Sequence, residues 1–223
     1  MERLSRSGSE PLDPRTELKQ ELHASLHKLQ HVTRPEAPIT DLEIPEEEHQ
    51  SLNSLSQSLE ELAPYPHPLT NEEALKHIDG TWLLRYSNAR EIRSLSSLPV
   101  GLTVGKVYQI IDVASTSFEN KAYVKHPLGF ITGYVRITAT FEPKPEAEGT
   151  VRDRCINVYF KKRSLNIQTL LGFKTPNLEP LKVFDAETPE DRIPSLDITY
   201  LDEDLRIGRG GDGSLFILVR EVS

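Results

Sequence analysis

Residues Leu196 to Arg220, LDITYLDEDLRIGRGGDGSLFILVR, read as three short strands joined by two tight turns. Asp202-Glu203-Asp204 supplies the first turn. Gly210-Gly211-Asp212-Gly213 supplies the second, where positive φ angles are needed and glycine adopts them without steric cost. A chain ending in hairpins has to dispose of the open edges of its sheet. The matching signal lies far upstream, where Gly80-Thr81-Trp82 leaves a helix-like segment and enters the apolar run Trp82-Leu83-Leu84-Arg85-Tyr86. First and last strands of this kind can meet when an antiparallel sheet closes into a barrel.

The intervening sequence supplies the other strands. Lys106–Val113, Ser117–Val124, Phe130–Phe141 and Arg152–Arg163, with the first strand and the three terminal ones, make eight. They are separated by turn-like segments such as Pro143-Lys144-Pro145 and Glu148-Gly149. Val135, Ile137, Ala139 and Phe141 alternate with Tyr134, Arg136, Thr138 and Thr140, and Ile156, Val158 and Phe160 alternate with Asn157, Tyr159 and Lys161. Some strands are apolar on both faces, notably Leu83-Leu84 and Phe216-Ile217-Leu218, and these need cover outside as well as inside.

That cover is available upstream. Leu18, Leu22, Leu26 and Leu29 form one stripe of a helix from about Thr16 to Gln30. Leu52, Leu55, Leu59 and Leu62 form a second, which Pro64 stops, and an acidic linker with Pro35, Pro38 and Pro45 lies between. Thr70-Asn71-Glu72-Glu73 reads as a capping box opening a third, short helix. Residues 1–78 carry 7 Lys+Arg against 15 Asp+Glu, whereas residues 79–223 carry 19 of each. The division predicts a flexible tail at 1–15, a helical segment at 16–78 and a β domain at 79–223. It also argues against a nucleic-acid partner, which needs a basic field. The glutamate-rich polar faces favour docking of the helices on a domain over adsorption to anionic lipid.

Catalytic and metal signatures are weak. Cys155 is the single cysteine and falls in a strand, so it makes no intrachain disulfide and no cysteine-based zinc site. His23, His27 and His31 share a helical face without an HExxH motif. The glycine-rich segment Gly208–Gly213 joins strand to strand and offers no helix amino terminus to phosphate. No cofactor, metal or catalytic residue is expected. The longest apolar run, Leu215–Val219, falls far short of the ~20 residues of a membrane-spanning helix. Residues Ser164–Ser195 form a long connection carrying Ile167, Leu170, Leu171, Phe173, Leu178, Leu181, Val183 and Phe184. It reads either as a lid or lipid contact, or as a cover belonging to the core.

Leu62-Ala63-Pro64, the helix before Asp79-Gly80-Thr81-Trp82, Leu84-Arg85-Tyr86-Ser87, Tyr200–Gly210 and Gly213–Arg220 together resemble the plastid lipid-associated proteins, or fibrillins. The resemblance runs from about Glu17 to Arg220. It implies a mainly β fold with α: a lipocalin-like antiparallel eight-stranded β-barrel preceded by amphipathic helices. It further implies a non-enzymatic protein that binds or organises a hydrophobic small molecule or lipid (a prenylquinone, carotenoid or fatty acid). The setting it implies is a peripheral membrane or lipid-droplet surface at thylakoids of a plastid or cyanobacterial cell, with a link to photoprotection. Transit-peptide character is weak at residues 1–15, so a cyanobacterial-type member or a processed plant chain is expected.

The candidate ligand contacts are Trp82, Tyr86, Ile137, Ile156, Phe160, Phe173 and Ile198. Trp82, Leu84 and Tyr86 are expected on one strand face, which either lines a cavity or fills it. Trp82 resembles the tryptophan at the closed end of lipocalin barrels, with Arg220 as its cationic partner and Arg209 in reserve. Two alternatives remain: an interaction module docking a protein partner such as a lipid-biosynthetic enzyme, and a bilin-handling barrel needing Arg85, Arg136 or Arg154 inside. The clusters Arg152/Arg154 and Lys161-Lys162-Arg163 read as solvated strand ends, or else as contacts to an anionic surface.

Overall fold

A computed structural model describes residues 13–33, 36–97, 101–145, 151–186 and 193–221. Most of the amino-terminal tail, Pro35 and the Glu148-Gly149 turn lie outside them. Helices α1 (Pro14–Val32), α2 (Glu46–Glu61) and α3 (Glu72–Ile78) lead into β1 (Gly80–Ser87), and a short α4 (Arg90–Arg93) follows. Then come β2 (Thr103–Asp112), β3 (Ser117–Lys125), β4 (Ile131–Pro145), β5 (Val151–Leu170), β6 (Phe173–Lys174), β7 (Lys182–Asp185), β8 (Ser195–Leu201), β9 (Leu205–Gly210) and β10 (Leu215–Arg220).

The sheet closes. Strands run in the order β4-β3-β2-β1-β10-β9-β8-β5, and β5 pairs back onto β4, so eight antiparallel strands complete the barrel. First and last strands meet with Trp82 opposite Arg220 and Leu84 opposite Leu218. Closure pairs β10 with both β1 and β9, which answers the edge problem posed by the terminal hairpins.

One core lies inside the barrel and another outside. Trp82, Leu84, Val107, Ile111, Phe118, Ala139, Ile156, Val158, Ile198 and Leu218 pack together within, beneath Ala74 and Ile78 of α3. Asn71 caps α3, its Oδ1 accepting from Glu73 N and Ala74 N at 3.0 Å each; the cap is therefore one residue later than a Thr70 capping box would place it. Outside, Leu22, Leu26 and Leu29 of α1 and Leu52, Leu55 and Leu59 of α2 pack on Tyr86, Tyr200, Leu205, Ile207, Leu215 and Ile217. The leucine stripes thus cover the strands that are apolar on both faces. Each fully buried leucine contributes about 1.5–3 kcal/mol relative to exposure.

Two bulges decide which residues reach which core. The β1–β10 register shifts between Leu84 and Tyr86, and the β8–β9 register shifts between Ile198 and Tyr200. One extra residue reverses the facing of everything beyond it. Tyr86 therefore leaves the face it was expected to share with Trp82 and Leu84, and joins the outer core under the helices.

Residues 164–186 are less of a loop than their prolines suggest. Ser164–Leu170 continues β5, which stays paired with β4 up to Leu170 opposite Ile131. β5 meets β8 only through Cys155, Ile156 and Asn157. Beyond that point its second edge is taken by β7, from Lys162 opposite Asp185 to Leu165 opposite Lys182, and then by β6. The barrel wall flares here into a β-flap standing away from β8. No helix among the described residues is long and apolar enough to cross a membrane.

Candidate functional site

At the closed end Trp82 is fully buried, and its Nε1 donates to Ile78 O at 3.0 Å. The Arg220 guanidinium lies 4.3 Å from the ring centroid, within cation–π range. Its Nε donates to Glu203 O at 2.5 Å, its Nη1 to Asp79 O at 2.9 Å and its Nη2 to His77 O. Gly80 has φ +115°, and a Cβ there would stand 2.8 Å from Arg220 Nη1. The Gly-x-Trp opening is thus dictated both by backbone conformation and by space for the arginine. Arg209 faces outward instead, bonding Glu60 of α2 at 2.8 Å and Asn53 at 3.0 Å.

A second cation lies inside. Arg206 of β9 is 2 % exposed, 5.1 Å from the Trp82 ring, and its Nη2 donates to Gln109 Oε1. Gln109 Nε2 in turn donates to Asn120 Oδ1 at 3.0 Å. Burial, and secondarily the charge of Arg220, pushes the Arg206 guanidinium down to about 9. It remains cationic at neutral pH. Among the described residues no carboxylate pairs with it.

Apolar side chains pack in the interior. A cavity of about 30 Å³, the space of one water, is bounded by Gln109, Phe118, Phe141, Ile156, Ile198 and Arg206. A larger groove of about 400 Å³ lies at Glu36, Lys106, Tyr108, Tyr123, Lys125 and Gln168. There Tyr108, Tyr123 and Tyr134 form a ladder of ring contacts, with Lys121 Nζ 4.1 Å from the Tyr134 ring.

The flap ends in an apolar rim. Leu128 and Phe130 from the β3–β4 turn stand beside Leu170, Leu171 and Phe173 from the β5–β6 turn, tied by Leu171 N donating to Phe130 O at 2.7 Å. Leu171 is 66 % and Phe173 77 % exposed, and Leu181, Val183 and Phe184 are exposed farther along the flap. Leu171 also has φ +50°, a left-handed conformation costing a non-glycine residue roughly 1–2 kcal/mol. That conformation belongs to the two-residue turn Leu171-Gly172 between the paired Leu170 and Phe173, where both central residues take positive φ. Lys174, opposite Thr169, borders the rim, whereas Lys182, opposite Leu165, lies farther along the flap with its Nζ 4.6 Å from the Phe184 ring.

The sequence-derived contacts divide accordingly. Ile156 and Ile198 line the cavity, Phe160 packs against the inner core, and Trp82 closes its base. Ile137 lies opposite Asn120, on the same face of β4 as Ala139. Tyr86 is outside, its hydroxyl 2.6 Å from His49 Nδ1, and Phe173 is on the rim. Of the arginines a bilin would need, Arg136 pairs with Glu119, Arg154 is exposed and Arg85 is the bulge residue of β1; the three do not converge in the interior. Sequence reasoning passed over Arg206. The signal was its place between Leu205 and Ile207, which alternation sends to the opposite face.

These features define a lipocalin-like barrel, closed at one end by an arginine-covered tryptophan and carrying an apolar flap at the other. The sequence profile of the PAP_fibrillin family matches residues 40–219, and the chain belongs to that family. It is 33 % identical over 175 residues to plastid-lipid-associated protein 6, chloroplastic, of Arabidopsis thaliana, covering 71 % of this chain and 57 % of the relative. To plastid lipid-associated protein 3, chloroplastic, of Brassica campestris it is 34 % identical over 197 residues, 74 % of this chain and 52 % of that one. Plastoglobulin-1, chloroplastic, of Pisum sativum is 31 % identical over 195 residues, again 74 % and 52 %. The chain spans just over half the length of these relatives. No solved structure matches it.

Proposed function

We propose that the protein is a non-enzymatic, peripheral lipid-surface protein that organises hydrophobic molecules at thylakoid membranes or lipid droplets of a plastid or cyanobacterial cell. The rim carries this reading: five large apolar side chains, Leu128, Phe130, Leu170, Leu171 and Phe173, stand exposed on two adjoining turns at one end of the molecule. Turns that project from a rigid sheet can enter an acyl phase without opening the ladder behind them, and such a patch rimmed by polar residues marks an interaction surface. Lys174, exposed opposite Thr169 at the edge of the rim, is available for headgroup contact. The lipid-associated and plastoglobulin names of the relatives support the lipid surface as the occupant.

A protein partner docked on the leucine-striped helices is less favoured, because those stripes are already buried against the barrel. Flotation with phosphatidylcholine-coated triolein droplets tests the proposal. The wild-type chain is expected to rise with the droplets. Leu171→Glu/Phe173→Glu, which changes only exposed side chains, is expected to stay below with an unaltered melting temperature. Wild-type protein left below, or a double variant that floats equally well, refutes it.

A further inference from the structure

We propose that Arg206 is the anchor of an interior site for the carboxylate head of an acyl-chain ligand. The inference deepens the reading that this barrel handles apolar molecules, and it does not depend on docking through the rim.

Two arginines face Trp82, and they are treated differently. Arg220 is held by three backbone carbonyls, with Asp79 and Asp204 close enough to act on its charge. Arg206 is more deeply buried and, besides the Trp82 ring, has one side-chain hydrogen-bond partner among the described residues, the neutral amide of Gln109. Among the described residues the one charged neighbour that perturbs it is Arg220, which repels it. A buried guanidinium with no counter-charge is the costly half of an ion pair. Its planar fork is matched by a carboxylate, which it can hold in bidentate fashion. Closing the barrel and binding Trp82 already occupy Arg220, so neither explains a second interior cation.

The surroundings select what such a carboxylate is attached to. Arg206 and Gln109 are the polar members of the cavity wall, and the rest is apolar: Phe118, Phe141, Ile156, Val158 and Leu196. Gln109 is oriented by Asn120, so its carbonyl stays on Arg206 and leaves the remaining guanidinium donors for the ligand. The cavity of about 30 Å³ is the space of one water, too small for a carboxylate head and its tail unless the wall moves. The tail gains room by displacing Leu69, which covers the cavity from the strap between α2 and α3. That strap is fastened to β5 by Leu69 N donating to Asp153 O at 2.8 Å and by the exposed His67–Asp153 pair at 2.8 Å.

The test is fluorescence titration of the full chain with cis-parinaric acid and with its methyl ester. The wild-type protein is expected to bind the acid at least tenfold more tightly than the ester, a comparison that needs no variant. Arg206→Met is expected to lose that preference and Arg206→Lys to retain part of it, with folding checked by thermal melts. Equal affinity for acid and ester, no binding of the acid, or an unchanged preference in a folded Arg206→Met protein overturns the proposal. The rim variant separates the two readings. If acid preference survives where wild-type flotation fails, rim docking alone is refuted; if flotation survives without acid preference, the interior site alone is refuted.

Discussion

Replacing Asp202 by Asn tests how α1 is held to the barrel. Asp202 Oδ2 accepts from Lys19 Nζ of α1 at 2.7 Å and from the Tyr200 hydroxyl at 2.6 Å. Its Oδ1 accepts from Leu205 N at 2.9 Å and Asp204 N at 3.1 Å, shaping the β8–β9 turn. Asparagine keeps one oxygen for the two backbone donors but sets an amide against Lys19 and Tyr200. Two hydrogen bonds to a charged acceptor are lost, at about 1.5 kcal/mol each, or ~3 kcal/mol in all. For a chain of this size that lowers Tm by roughly 6–12 °C.

The pH dependence has a definite sign. Burial alone would raise the Asp202 carboxyl, but hydrogen bonding with Asp204, Lys19, Tyr200 and Leu205 N outweighs it and holds the group well below the usual carboxylate range. A depressed native pKa contributes stability that is complete above the unfolded value of about 3.9 and is lost as pH falls toward the native value. The gap between wild type and Asp202→Asn is therefore expected to be constant from pH 8 to 5. Below about pH 4 it should narrow by ~1.4 kcal/mol per pH unit. Urea unfolding at pH 7, 5 and 3 measures it, and a cycle with Lys19→Met isolates the ion-pair part. A gap under about 0.5 kcal/mol at pH 7, or one that does not change between pH 7 and 3, refutes the reasoning.

Two further outcomes follow from the two cores. Leu22→Ala removes a fully buried side chain between α1 and the outer barrel wall; it is expected to cost about 2–5 kcal/mol in denaturant unfolding, with droplet flotation unchanged because the rim is untouched. Tyr86→Phe removes the hydroxyl bonded to His49 and should cost about 1 kcal/mol. It should leave parinaric acid affinity at the wild-type level, since Tyr86 faces the helices; a loss of affinity would place the ring in the ligand path after all.

Much of this architecture was legible from residues alone. Side-chain parity in a strand depends only on the pleat, so Val135, Ile137, Ala139 and Phe141 could be separated from their polar neighbours without coordinates. Leucines at three- and four-residue spacing announced one buried face per helix, Gly80 with Trp82 announced the first strand, and the family resemblance implied that Trp82 marks the closed end. Parity does not say which face points inward, and it fails across a bulge. The extra residue between Leu84 and Tyr86 is set by how β1 pairs with β10, more than a hundred residues away, and that pairing sends Tyr86 outward. The same long-range pairing extends β5 to Leu170 and folds β6 and β7 onto it, so apolar residues that read as a loop become a rigid rim. Arg206 is the sharpest case. Its neighbours in sequence predict a surface strand as readily as a barrel wall, and only closure of the sheet, with α1 and α2 covering Leu205 and Ile207, turns its charge into the interior.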